Sequence, residues 1–256
     1  MTFTVVIPAR YKSTRLPGKC LVDIAGRPMI QWVVEAAQQS QASDVYVATD
    51  DESIVTAVQQ FGGKALLTSN EHESGTDRLH EAAQLLNLPD EHIVVNVQGD
   101  EPLVPPAVID QVANNLARND TAGIATLCEE IHSTEEFLNP NAVKVLCNDQ
   151  QQALYFSRAP IPWPRDADLN SSADLPADLQ AFRHVGLYAY RVAFLRQFVS
   201  WLPHALEITE KLEQLRALAH GVVIHVEPAV ASIPAGIDTA EDLAALKAHL
   251  AATEGG

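Results

Sequence analysis

The chain has 256 residues, 47% of them hydrophobic and 20% charged, with a formal net charge of −16 at pH 7. This is the composition of a globular protein with one large domain or two small ones, and it excludes a disordered or collagen-like chain. The acidity argues against bulk binding to nucleic acid or anionic membranes, there is no run of 18 apolar residues to span a bilayer, and three scattered cysteines without a C-x-x-C pair suit a reducing cytosol better than a disulfide framework or a zinc site.

Short apolar runs alternate with segments of helical period. The first run, Thr4–Pro8, reads as a strand and not as a signal peptide, because it ends at a proline without a small-residue cleavage pattern. Further strands are expected at Val45–Thr49, Lys64–Leu67, His92–Gln98, Gly123–Glu129 and Val222–Glu227. Helices are expected at Met29–Gln39, Asp51–Phe61, Asp77–Leu86 and Pro105–Arg118. Strands as apolar as Ile93–Val97 suit a sheet covered on both faces, so the fold class is α/β: an open, mostly parallel sheet with helices on both faces.

From about Val143 the rhythm changes. Val143–Cys147 and Ala153–Ser157 read as a hairpin, Ala159–Asp178 as a Pro- and Asp-rich loop that is a candidate lid, and Phe182–Arg191 as a strand. His204–His220 reads as one helix with Ile208, Leu212, Leu215 and Ala219 on a stripe, and Thr239–Leu250 as a closing helix with Thr239 and Asp242 at capping-box spacing. The second half reads as a smaller β-rich extension of the same sheet.

Ligands of open α/β sheets gather at the carboxyl ends of the strands. The segment after the first strand, PARYKSTRLPGK, lies within residues 1–22, which contain no Asp or Glu, and it holds Arg10, Lys12, Arg15 and Lys19. Backbone donors and clustered cations in a loop are what a polyphosphate needs. NVQGDEP follows the most apolar strand and places Asp100 where a carboxylate would hold Mg²⁺, unless Asp100 only forms a turn. GIDTAED follows the last strand; Asp238 is either a second metal carboxylate or a helix N-cap. Ser157-Arg158 ends a strand, and His184, Tyr188, Glu213 and Gln214 are either pocket-lining polar groups or satisfied surface and core residues. The Rossmann G-x-G-x-x-G, a Walker A loop, H-E-x-x-H and G-x-S-x-G are all absent.

The segments IPARYKSTRLPGK (7–19), VATD (47–50), HESGTDRL (72–79), VNVQGDEP (95–102), NPNAVKV (139–145), YFSRAPIPW (155–163), RHVGLYAYR (183–191), LEQLRAL (212–218) and GIDTAEDL (236–243) together resemble the CMP-Kdo synthetases, the 3-deoxy-manno-octulosonate (Kdo) cytidylyltransferases. The resemblance spans nearly the whole chain in order. Sialic acid cytidylyltransferases begin similarly without the STRLPGK form. The resemblance implies a Rossmann-like nucleotidyltransferase domain, with a CTP-binding core at about 1–130, a sugar-binding and dimerisation extension at about 131–230, and a metal Asp and closing helix at 231–256.

It further implies transfer of CMP from CTP to the anomeric hydroxyl of Kdo for lipopolysaccharide synthesis, in a cytoplasmic, Mg²⁺-dependent homodimer that binds neither nucleic acid nor membrane. Arg10, Arg15 and Lys19 are implied at the CTP phosphates, and Pro8, Ala9, Arg10, Ser74 and Gly75 at the cytidine. Asp100 and Asp238 are implied at Mg²⁺, and Arg78, Gln98, Arg158, His184, Tyr188, Glu213 and Gln214 around Kdo, with Arg158 or Arg78 facing its carboxylate. Asp100, Asp238, Lys19 and Arg15 form the implied catalytic set. The chain departs from the pattern at Cys20, where the family often carries proline, at loop 164–178, and at Ser232–Ala235. Two other readings remain at this stage: a cytidylyltransferase for sialic acid or an 8-amino analogue of Kdo, and a nucleotide-sugar-binding regulator without turnover.

Overall fold

A computed structural model of the chain describes residues 2–11, 16, 18–72, 74–169, 174–234 and 236–254. β1 (Phe3–Ala9) leads into a short hairpin of β2 (Asp23–Ile24) and β3 (Arg27–Pro28). There follow α1 (Met29–Gln38), β4 (Asp44–Thr49), α2 (Glu52–Gln60), β5 (Lys64–Leu67), α3 (Gly75–Leu85), β6 (Ile93–Asn96), α4 (Pro106–Arg118) and β7 (Ala122–Glu130). The second half supplies α5 (Thr134–Leu138), β8 (Lys144–Cys147), β9 (Ala153–Ser157), β10 (Phe182–Arg191), α6 (Val192–Phe198), α7 (Ala205–Glu210), α8 (Gln214–Ala219), β11 (Val223–Pro228) and α9 (Ala240–Glu254).

Nine strands form one sheet, in the order β11-β7-β10-β6-β1-β4-β5, with β8 attached to β10 and β9 to β8. β1 pairs in parallel with β4 and β6, β4 with β5, and β7 with β11. β10 runs antiparallel between β6 and β7. The two faces bury separate cores, as the alternation of β1 requires. Phe3, Val5 and Ile7 pack with Ile30 and Val33 of α1, Ile54 and Val58 of α2, and Val108 and Val112 of α4. Val6 faces the opposite way, among Leu79 and Ala82 of α3, Leu195 and Phe198 of α6, and Leu215 of α8.

The structure corrects the expectation of one helix over His204–His220. Lys211 adopts a left-handed conformation (φ 54°, ψ 48°) that ends α7, and α8 starts at Gln214. Ile208, placed by period on the buried stripe, is 53% exposed, while Leu212 and Leu215 are buried. The break is held from both sides, by Glu210 bonded to the end of β9 and Glu213 bonded to Thr76. The hairpin β2–β3 and the helices α5 and α6 were not anticipated; each is too short to show a period. The loop after β9 is anchored by Leu169, which packs with Ile131, Phe137 and Ala181. No helix among the described residues is long and apolar enough to cross a membrane.

Candidate active site

The carboxyl ends of β1, β4 and β6 lie along one edge of the sheet. Because β10 is antiparallel and pairs Tyr188 with Asn96, its first residues, Phe182–Val185, project beyond the end of β6 over this same edge. Gly99 lies where a side chain has no room: a Cβ there would come within 3.1 Å of the Pro8 carbonyl oxygen. The loops after β1 and β6 are thereby pressed together.

Asp100 follows in a turn closed by the backbone bond from Glu101 N to Gln98 O (3.2 Å). The backbone of Ile237 donates to Asp100 O (2.9 Å), which brings the loop before α9 alongside. In that loop the capping work falls to other residues. Asp242 accepts from the backbone N–H groups of Asp238 and Thr239, and Thr239 Oγ1 accepts from Asp242 N. Asp238 therefore is not the N-cap, and its carboxylate reaches Lys19, which also meets Asp100: Nζ lies 2.6 Å from Asp100 Oδ2 and 2.7 Å from Asp238 Oδ1. Burial alone would lower the Lys19 pKa, but the two carboxylates together outweigh it and raise it. Glu101 is different. Burial and the charge of Asp100 push its carboxyl up to about 8, and its Oε2 has no partner among the described residues.

On the β1 side, Ser74 caps α3 in a capping box with Asp77, and Gly75 faces the Pro8 ring, with 4.0 Å from its would-be Cβ to Pro8 Cγ. The 11-residue α3 therefore points its N-terminal backbone donors and positive dipole end at the loop that follows Ala9. Cys20 is buried, donates to the Arg10 carbonyl (3.8 Å) and is pushed by burial to about 11, so it stays a thiol. Lys12 and Arg15 lie outside the described residues.

A cavity of roughly 320 Å³ opens beside this edge, lined by Gly75, Thr76, Asn96, Gln98, His184, Tyr188, Glu213 and Gln214 among others. A ladder of rings runs from Phe156 through His184, Tyr188 and Tyr190 to Phe194, and its three middle rings line the cavity. Burial lowers the His184 pKa to about 3, so the imidazole is neutral. Its Nε2 lies 3.0 Å from Thr126 Oγ1, which also lies 2.9 and 2.8 Å from the carbonyls of Val185 and Leu187. A hydroxyl has one proton, and these carbonyls take it. His184 therefore donates from Nε2 and keeps Nδ1 as an acceptor. Glu213 Oε2 accepts from Thr76 Oγ1 (2.6 Å); burial raises its pKa while that bond opposes the shift. Gln98 Nε2 approaches the Gly186 carbonyl at 3.4 Å, at an irregularity of β10 between Val185 and Tyr188.

The structure thus gathers Gln98, His184, Tyr188, Glu213 and Gln214 in one cavity, and Lys19, Asp100 and Asp238 in one charged cluster. It places two expected residues elsewhere. Arg78 is fully buried, bonded to Thr68 and to Asp50 (3.1 Å); burial lowers its pKa, with Arg10 nearby adding to the effect and Asp50 opposing it. Arg158 gives Nε to the Glu210 carbonyl (2.7 Å) and Nη1 to the Pro140 carbonyl (3.0 Å). Neither lines the cavity. Lys211 is the one positively charged side chain among its described lining residues. Sequence reasoning also missed Thr76 and Thr126, which orient Glu213 and His184. Threonines in a helix and a strand carry no signal of such a task.

The cytidylyltransferase family model matches residues 4–224. A 3-deoxy-manno-octulosonate cytidylyltransferase of Hahella chejuensis is 57% identical over 249 residues, covering 97% of this chain and 98% of the relative. The enzyme of the same name from Pseudomonas fluorescens is 60% identical over 241 residues, covering 94% and 95%. A solved structure of CMP:2-keto-3-deoxy-manno-octonic acid synthetase complexed with CTP superposes with a TM-score of 0.89 at 43% identity, covering 98% of this chain and 99% of that one. A nucleotidyl transferase from Methanothermobacter thermautotroptrophicus shares the fold alone, with a TM-score of 0.62 at 14% identity over 98% of each chain. The fold and the loop cluster at its carboxyl edge are those of a nucleotidyltransferase. Within that class, the chain belongs to the cytidylyltransferase family.

Proposed function

We propose that the protein transfers CMP from CTP to the anomeric hydroxyl of 3-deoxy-manno-octulosonate and releases pyrophosphate. The observation that carries this reading is the meeting of Asp100, Asp238 and Lys19 at the sheet edge, beside a cavity walled by hydrogen-bond acceptors. The names of the full-length relatives and the CTP complex of the 43%-identical structure support the donor and the acceptor.

CTP would lie along the β1 loop, with its cytidine held by the backbone at Pro8–Arg10 and by Ser74 and Gly75. The phosphates would meet the N-terminal end of α3 and the cations of the loop, Arg10, Arg15 and Lys19. Kdo is a polyhydroxylated acid. The His184 Nδ1 acceptor, the Glu213 carboxyl group and the Gln98 and Gln214 amides suit its hydroxyls. Lys211 replaces Arg78 and Arg158 as the partner for its carboxylate. Attack of the anomeric oxygen on the α-phosphorus forms one O–P bond as the bond to the β-phosphate oxygen breaks. Such transfers depend on alignment and on neutralising charge.

Asp100 and Asp238 fit Mg²⁺. Their hard oxygens converge on a single cationic atom, Lys19 Nζ, and two carboxylates with phosphate oxygens completing the shell are what this ion takes. Bound there, Mg²⁺ would neutralise charge on the triphosphate. Placement in the cytoplasm, assembly as a homodimer and a role in lipopolysaccharide synthesis belong to the same proposal.

The test is pyrophosphate release from CTP and Mg²⁺ with and without Kdo, repeated with sialic acid and with ATP, GTP and UTP. Release that needs both CTP and Kdo is expected, and Asp100→Ala is expected to abolish it while the fold survives. Release with another acid sugar would overturn the acceptor. No release from folded protein with any pair would overturn catalysis and leave a binding protein.

A further inference from the structure

The cavity wall that carries Lys211, Glu213 and Gln214 belongs to no sheet. It is the broken segment between α7 and α8, and its first residue, Lys211, holds the left-handed conformation, which is unfavourable for an L-amino acid with a side chain. A strained turn keeps its shape only where its surroundings impose it. Here the constraint comes from one residue before the turn, Glu210.

Both carboxylate oxygens of Glu210 are committed to the end of β9. Oε1 accepts from Ser157 Oγ at 2.6 Å, and Oε2 accepts from the backbone N–H of Arg158 at 2.9 Å. The Glu210 main-chain carbonyl in turn accepts Arg158 Nε at 2.7 Å. Ser157 is only 3% exposed, while Glu210 and Arg158 are half-buried, so the clasp is partly shielded from water, which strengthens its charge-assisted bonds. The same end of β9 is held from β8 as well. Lys144, fully buried on β8, donates Nζ to the Arg158 carbonyl at 3.0 Å and to the Asn139 carbonyl at 2.9 Å. Three residues past Glu210, Glu213 is fixed to Thr76 on α3. The turn is thus stretched between two fixed points, the β8–β9 hairpin and α3.

We propose that Glu210 is a positioning residue of the acceptor site: through its bonds to Ser157 and Arg158 it sets where Lys211 and Glu213 stand in the cavity, without touching either substrate. Arg158 has the same task from the other side. This rests on the reading of the cavity as the Kdo site.

The test is steady-state pyrophosphate release by the full chain, varying Kdo and CTP separately, for Glu210→Ala, Glu210→Gln and Ser157→Ala, each with a thermal melt. A misplaced contact of about 1 Å costs up to 10²-fold. Glu210→Ala is therefore expected to raise KM for Kdo 10-fold or more with KM for CTP within two-fold of wild type. Glu210→Gln retains an acceptor oxygen and is expected to recover most of this, and Ser157→Ala, which cuts one of the two side-chain bonds, to fall between. If Glu210→Ala does not fold, the other two variants carry the same test. Equal changes in both KM values, or a Kdo KM unmoved in the folded variants, would overturn the positioning role. Wild-type protein that turns over CTP with another acid sugar and not with Kdo would instead overturn the functional reading alone.

Discussion

Lys19 holds the place that a divalent cation is proposed to take, so the two compete. Lys19→Met removes the ammonium and leaves its stem. Asp100 Oδ2 and Asp238 Oδ1 lie 2.6 and 2.7 Å from Nζ, so they are at most about 5.3 Å apart, the sum of the two contacts. At an effective dielectric of roughly 20–30, two bare charges at that separation repel by about 2–3 kcal/mol. The side chains of Asp100 and Asp238 are 32% and 43% exposed, which screens each ion pair to about 1–1.5 kcal/mol. Both routes put the cost of displacing Lys19 at about 2–3 kcal/mol. Calorimetric titration of Mg²⁺ into the nucleotide-free variant is therefore expected to show affinity about 30- to 150-fold tighter than wild type, with turnover lost because the phosphates lose a cation. Asp238→Asn in the same background is expected to cancel the gain. Equal or weaker Mg²⁺ affinity in Lys19→Met would refute a shared position.

Three further outcomes follow from other groups in and beside the site. Glu101 has its pKa raised to about 8 in the fold. It stabilises the protein fully below about pH 4.5, and that contribution is lost as pH rises towards 8, with a ceiling of about 5 kcal/mol. Urea melts are expected to show Glu101→Gln gaining on wild type between pH 5 and 8.5, and a constant difference would show that Glu101 is ionised. His184 is depressed to about 3, so its contribution is present above about pH 6.5 and drains as pH falls towards 3; His184→Gln is expected to flatten that part of the stability profile. Lys211→Gly removes the cavity's cation and relieves its positive φ. A gain of up to about 1 kcal/mol in stability, a raised KM for Kdo and an unchanged KM for CTP are expected. An unmoved Kdo KM would remove Lys211 as the carboxylate partner.

The parallel part of the sheet was legible because its strands are apolar on both faces, as in IVVN of β6 and FTVVIPA of β1, and because amphipathic helices separate them. The Asp100 and Asp238 loops were legible from their place after strands. Their meeting was not, since it depends on a backbone bond between residues 100 and 237. The break at Lys211 was hidden by a stripe of apolar residues that keeps its period across the turn. Arg78 and Arg158 were placed at the sugar by the family resemblance alone; only the structure shows their partners, Asp50 with Thr68 and a pair of main-chain carbonyls. That β10 would enter the middle of the sheet was equally hidden, because strand order is not a local property.

The insertion of β10 between β6 and β7 sets the order in which this chain can become active as it is made. β1, β4, β5 and β6 are complete by residue 96, and they can pair as they emerge from the ribosome. β7 has no neighbour on that side until residues 182–191 arrive, and the contacts that β10 makes close long loops, the slow class of folding step. Last of all comes Asp238, which meets Lys19 beside Asp100 and stands 138 positions after it in sequence, the difference of the two residue numbers. A nascent chain therefore acquires its nucleotide-side scaffold well before the pair of carboxylates that the proposed function assigns to the metal. On the proposed assignment, a chain truncated before Asp238 can hold much of the sheet and still be inert.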